Sequence, residues 1–233
     1  MATSGTNTFV TTEADIIKDA LLMLGVIDQE EAVSAGDYAT GRRWLNMLTK
    51  MLAIKANLWV TTDVAHTLTP GTQSYTVGTG LNINTARPLR LEHARRSDGT
   101  TDIPISVISR QDYMDLPNKA TQAACLQVYY DPQLANGVLY CWPTGDANNT
   151  SITLTFKRPL QDFTATGDNP DLPKEWYLPL VTLLAEKLAP QHIGSIPQWL
   201  KIEAMQTLAV VENWDEEDVS IMLSPSARYA DTN

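Results

Sequence analysis

Residues 34–68 read SAGDYATGRRWLNMLTKMLAIKANLWVTTDVAHTL, and a change of period inside this stretch decides the fold. Ser34, with Asp37 three positions on, reads as a helix start. Two apolar rows then follow at helical spacing: Tyr38, Gly41, Leu45, Leu48 and Leu52, and beside it Trp44, Met47, Met51, Ile54 and Leu58. From Val60 the period falls to two, with Val60, Thr62, Val64, His66 and Leu68 alternating with their neighbours as in a strand. A helix thus hands over to a β-rich segment. A surface helix in a monomer needs one apolar stripe, so the second row meets either a second layer of the same core or another chain. Trp44, Met47, Met51 and Ile54 are therefore candidate subunit-interface residues. The remaining arc carries Arg42, Arg43, Asn46, Thr49 and Lys50, a cationic strip that is either a solvated face or a contact for acidic neighbours.

Upstream, Thr12 with Asp15 forms another capping box, and Ile16, Ile17, Ala20, Leu21 and Leu24 continue it as a short amphipathic helix that stops at Gly25. Downstream, Pro70-Gly71 supplies a turn, so residues 60–68 and 74–77 read as a hairpin. Further alternating runs follow at 89–93, 103–107, 126–130, 138–142 and 152–156, each bounded by Gly, Pro, Asn or Asp. Among them, residues 109–112 look like the cap of one helical turn that ends near Leu116. The Asn148-Asn149-Thr150 loop is read as a turn.

Helical punctuation returns with Asp171 as a cap and Pro173 early in a helix through Trp176, Leu180, Leu184 and Leu188, closed by Pro190 and Gly194. Ser195 and Pro197 open a last helix in which Trp199, Ile202, Met205, Leu208, Ala209 and Glu212 follow helical spacing. The expected class is α+β. Residues 10–58 and 172–214 form one helical bundle, residues 59–171 a β-rich antiparallel insertion, and residues 215–233 an extended tail too short for its own core.

Composition narrows the function. The 233 residues are 43 % hydrophobic and 19 % charged, and 17 Lys plus Arg against 27 Asp plus Glu leave a net charge of −10. Such a chain is poorly suited to neutralising phosphates, so tight DNA binding is disfavoured. No apolar stretch approaches the roughly 20 residues of a membrane span, and the opening residues lack a secretory signal. Synthesis in the cytoplasm, with no membrane partner, is the expectation. Cys125 and Cys141 read as reduced thiols packed as small hydrophobes, with a cross-strand bridge as the alternative.

Chemistry-bearing motifs are sparse. His66, His93 and His192 lack a second ligand at metal spacing, and Gly78-Thr79-Gly80 lacks the remainder of a phosphate loop. No catalytic, metal or cofactor site is expected. Trp59, Tyr75, Tyr129, Tyr130, Tyr140 and Trp142 have too few cations nearby for a single-strand groove and read as core or interface. Carboxylate pairs for glycoside hydrolysis depend on a separation that sequence does not give.

Several strings in order carry a resemblance: LTPGTQSYTVG at 68–78, NTARPLR at 84–90, ISRQDY at 108–113, PNK at 117–119, YYDP at 129–132, LYCWP at 139–143 and KRPL at 157–160. Between a paired helical start and a helical finish, over residues 11–190, they resemble the head-to-tail adaptors of tailed double-stranded-DNA bacteriophages, also called tail accessory or packaged-DNA stabilisation proteins. The resemblance implies a helical bundle with a β-rich insertion, assembled as a ring of usually twelve copies under the portal protein. It places the chain in the virion, at the head–tail junction. Such a ring extends the portal channel, retains packaged DNA and offers a platform to the next tail component, a nozzle or tail hub. It requires no reaction and no cofactor.

Three features suit that role. Ring contacts are heterologous and need two different patches on each copy, of which the doubled row on the second helix is one. Twelve copies at −10 each give −120, and a negative lumen lets double-stranded DNA pass without specific binding. The tail carries Val219, Ile221, Met222, Leu223, Arg228 and Tyr229, expected to order on the portal; a disordered terminus is the alternative. Deleting residues 215–233 is expected to abolish docking without moving the melting temperature. Two other readings fit the sequence: a peptidoglycan-degrading glycosidase carried in the tail, and a neck or tail-tube component that never touches a portal.

Overall fold

Thr12 starts the first helix by a reciprocal device. Its hydroxyl accepts the Asp15 N–H at 3.3 Å while its own N–H donates to the Asp15 carboxylate at 3.0 Å, and α1 runs over Glu13–Met23. Gly25 ends it with φ +67°, a left-handed turn that glycine adopts without steric cost. Before α2, Ala35–Lys55, the Ser34 hydroxyl accepts the Asp37 N–H at 3.1 Å and donates to the Asp37 carboxylate at 2.7 Å. Ser109 and Asp112 repeat the full reciprocal box of Thr12 before the short α3, Arg110–Asp115. The computed structural model describes residues 3–55, 59–97, 100–147 and 150–215. Leu58, the Asn148-Asn149 turn and the tail residues Val219, Ile221, Met222, Leu223, Arg228 and Tyr229 lie outside the described residues.

The last two helices begin differently from expectation. A 3-10 turn at Lys174–Trp176 leads into α4, Tyr177–His192, and no side chain caps it. Asp171 is already committed, receiving the Arg158 guanidinium and the Gln161 N–H. Pro190 sits inside α4 rather than ending it, and the chain turns at Gly194, φ +78°. Helix α5, Gln198–Trp214, starts at Pro197 without help from the Ser195 hydroxyl. Fixed proline geometry begins it in place of a side-chain acceptor.

All seven expected strands form: β1 Thr61–Thr67, β2 Ser74–Val77, β3 Arg90–Ser97, β4 Asp102–Val107, β5 Gln127–Asp131, β6 Gly137–Trp142 and β7 Ser151–Lys157. Their order in one sheet is β1-β7-β3-β4-β5-β6-β2, which corrects two expectations. First, β1 and β2 are not a hairpin. The turn at Pro70-Gly71 reverses the chain, but β1 pairs in full register with β7, from Thr61 opposite Lys157 to Thr67 opposite Ser151, and β2 pairs with β6. A four-residue β2 would leave much of the seven-residue β1 backbone unpaired, and β7 matches it throughout. Second, the insertion is not wholly antiparallel, because β4 and β5 pair in parallel at Ser106–Gln127 and Val107–Val128, with α3 in the crossover between them. The sheet curls until its edge strands approach, and the His66 ring on β1 meets the Tyr75 ring on β2 edge-on at 4.7 Å.

Two clusters of buried side chains result. One surrounds α4, which packs against α1, α2 and α5, and includes Ile16, Ile17, Leu45, Leu52, Trp176, Leu184 and Leu200. The other fills the curl of the sheet with Val77, Val128, Leu139, Ile152, Leu154 and Phe156. Cys125 and Cys141 lie in this second cluster as free thiols, and the Cys125 thiol donates to the Gln127 carbonyl at 3.5 Å. The neighbouring Cys125 thiol and burial hold the Cys141 thiol above its ordinary range. At the junction the Trp59 ring meets Trp176 at 5.7 Å, and Lys157 Nζ donates to the Ile54 carbonyl at 2.9 Å.

Candidate functional site

On α2 the two apolar rows part company. Gly41, Leu45, Leu48 and Leu52 are buried, while Met47, Met51 and Ile54 are 46, 40 and 71 % exposed and Trp44 is half-buried against the helical core. Among the described residues, no second layer of the same chain covers the second row. The polar strip does have acidic neighbours, from its own chain. Arg42 Nε donates to Glu13 at 2.8 Å, Asn46 exchanges two bonds with the Phe163 backbone, and Lys50 reaches Asp162 and the Leu160 carbonyl, each at 2.6 Å. Thr49 is buried rather than part of a solvated face. The strip thus clasps the chain as it returns from β7, and Arg43 remains exposed.

Helix α5 reverses the expected stripe. Leu200, Ala204 and Val211 are buried, with Leu208 partly so, whereas Trp199, Ile202 and Met205 face solvent together with Val210 and Trp214. Both sets satisfy helical spacing, so periodicity alone did not choose between them. The signal available in the sequence was the same as on α2: more apolar positions than one stripe can hide. Lys55 Nζ donates to Glu212 at 2.7 Å, which brings the end of the exposed α2 row beside α5.

Elsewhere the polar groups serve the fold. The Thr155 hydroxyl and then Arg95 hold the Asp63 carboxyl below its ordinary range, and the N–H groups of Thr164 and Ala165 do the same for Asp168. His192 lies 3.7 Å from Asp37, joining the end of α4 to the start of α2. Tyr113, Tyr129 and Tyr140 stack with centroids 5.1–5.9 Å apart, and the Tyr130 hydroxyl donates to the Pro88 carbonyl. Burial pushes Tyr130 up to about 12. Tyr129 and Tyr130, read as core or interface, are buried, and Tyr140 is half-buried. Among the described residues, no three His, Cys, Asp or Glu side chains gather as a metal site, and no helix is long and apolar enough to cross a membrane.

One apolar groove of about 320 Å³ lies between the N-terminal segment, α1 and α4, lined by Phe9, Met23, Tyr177, Leu178 and Val181, with Asp19 at its side. Burial raises the Asp19 carboxyl, and the Asp15 charge adds to the effect. The architecture is thus a set of helices around α4 joined to a curled sheet, with apolar rows left open on two helices.

The SU10 adaptor protein family matches residues 11–201. The chain belongs to that family. Its members are phage head–tail adaptors, so this adaptor is a structural component of the virion at the junction of head and tail. The matched region begins just before α1 and ends in the first turn of α5, so it takes in the buried and exposed rows of α2 and the whole sheet. Most of α5 and the residues after it lie beyond the match. No curated protein matches the chain.

Proposed function

We propose that the adaptor works as one subunit of a ring, of about twelve copies, that docks under the portal, extends the DNA channel and seats the next tail component. The observation that supports this most is the exposed row of Met47, Met51 and Ile54, next to a fully buried row on the same helix. Three neighbouring large apolar side chains left in water are costly for a lone subunit, at roughly 25 cal/mol per Å² of apolar area. A lateral neighbour removes them from water. The net charge of −10 per copy gives the assembled ring a negative field that keeps passing DNA from adhering. In this reading the tail, with Val219, Ile221, Met222, Leu223, Arg228 and Tyr229, binds the portal and orders there.

The test combines purified adaptor with portal rings of the same phage and images the mixture by electron microscopy. Rings of added density under the portal are expected with the full chain. Removing residues 216–233 should abolish docking and leave the melting temperature within about 1 °C. Truncation has to start after Asp215, not before it, because that residue is buried and its N–H bonds back to Val211 and Glu212. Docking by the truncated chain at full strength sinks the assignment of the tail. Failure of the full chain to bind portal in any form transfers the protein to a neck or tail-tube position.

A further inference from the structure

Helix α5 carries two apolar strips rather than one. At about 100° per residue, Ile202, Met205 and Ala209 fall within about 60° of one another, and Trp199, Val210 and Trp214 fall within about 60° of one another some 120° further round. The first strip lies beside Glu212, which is ion-paired to Lys55, so it continues the exposed row of α2 into one patch. The second strip faces away from that patch. Each strip is exposed in the single chain.

The charges beside the two surfaces are opposite in sign. Arg43 lies within about 40° of Met47 and Ile54 round α2, and Lys201 stands one turn before Met205. Glu203 lies inside the second strip, between Val210 and Trp214 round the helix. Among the described residues none of these three side chains has an ion-pair partner. One chain therefore presents two different apolar surfaces, one edged by unpaired cations and the other by an unpaired carboxylate. A closed ring needs that combination, because its contact repeats head to tail and joins unlike patches.

We infer that neighbouring copies join by seating Trp199, Val210 and Trp214 of one copy on Met47, Met51 and Ile54 of the next, with Glu203 opposite Arg43. The inference rests on the ring reading above and adds the second half of the contact. Two tryptophans, one at each end of the second strip, are of a residue type that dominates binding at protein interfaces. The occupant of each surface is a second copy of this chain.

The experiment measures self-association of the full chain by mass photometry, alone and on added portal rings. Arg43→Glu and Glu203→Arg are exposed changes and keep the wild-type thermal midpoint. Each by itself lowers association about tenfold by placing like charges together. A one-to-one mixture of the two variants recovers association, because in alternating order every contact again joins opposite charges, and the doubly reversed chain recovers for the same reason. Wild-type association by both single variants, or no recovery in the mixture and the double variant, overturns the pairing and leaves the ring standing. A wild-type chain that stays single at every concentration and on portal rings overturns the ring reading and the pairing with it.

Discussion

Glu13 is wholly enclosed, and both of its carboxylate oxygens take the Arg42 Nε–H, at 2.8 and 3.1 Å, across the contact of α1 with α2. Removing one member of a buried pair leaves the other charge uncompensated, at about 3–5 kcal/mol when both are fully enclosed. The Arg42 side chain keeps some water, so Glu13→Ala is expected to cost about 2 kcal/mol in urea unfolding. Gly137 shows a steric limit of another kind. A Cβ there would come within 2.6 Å of several ring and hydroxyl atoms of Tyr130, which is anchored to the Pro88 carbonyl. Gly137→Ala should lower stability by about 2 kcal/mol, as overpacking does where the neighbour is held. Asp171 adds a pH dependence. Burial presses its carboxyl upward, but the Arg158 guanidinium and the Gln161 N–H outweigh that, and it titrates below the ordinary carboxylate range. A lowered folded value means the stability it contributes is fully present above the unfolded value of about 4 and is lost as pH falls through the folded one. Asp171→Asn should weaken the protein at neutral pH and make the decline below about pH 4 shallower, as read by denaturant midpoints across pH.

At the scale of elements, α5 separates packing from exposure along a single helix. Leu200 is fully buried and Ile202, two residues on, is 46 % exposed. Leu200→Ala is expected to cost about 3 kcal/mol by emptying part of the helical core, whereas Ile202→Ala should leave the unfolding midpoint within about 0.5 kcal/mol. If the two changes destabilise equally, the orientation of α5 is wrong. The capped helices were legible beforehand because Thr12 with Asp15, Ser34 with Asp37 and Ser109 with Asp112 are local pairings three residues apart, and all three form. Asp171 and Ser195 have the same chemistry at similar positions but do not cap. Asp171 has a stronger partner in Arg158, thirteen residues away, and that competition is tertiary.

Across the whole molecule, the helices and the sheet form separate clusters that meet where Trp59 packs on Trp176 and Lys157 reaches the Ile54 carbonyl. Burial, first of all, lowers the Lys157 ammonium, and Arg90 adds to it. Asp215 stands near that ammonium at the end of α5. The fold therefore extends through Asp215, and a chain ending at Trp214 should melt below one ending at Asp215 by a few degrees, through loss of a buried group and its charge. Calorimetry of the two truncations checks this. Equal midpoints would move the boundary of the folded part back to α5.

Local rules were enough to locate the helices and all seven strands, because capping boxes, turn residues and the switch in period act over a few neighbouring residues. The doubled row on α2 was likewise visible as an excess of apolar positions. Strand partners were not, since β1 selects β7 over the nearby β2 by length and by core burial, across some ninety residues of chain. Nor was the buried side of α5, where two rows of equal apolarity compete and only the position of α4 decides which is enclosed. Periodicity is a property of one segment, and partner choice depends on how much surface every segment can bury at once.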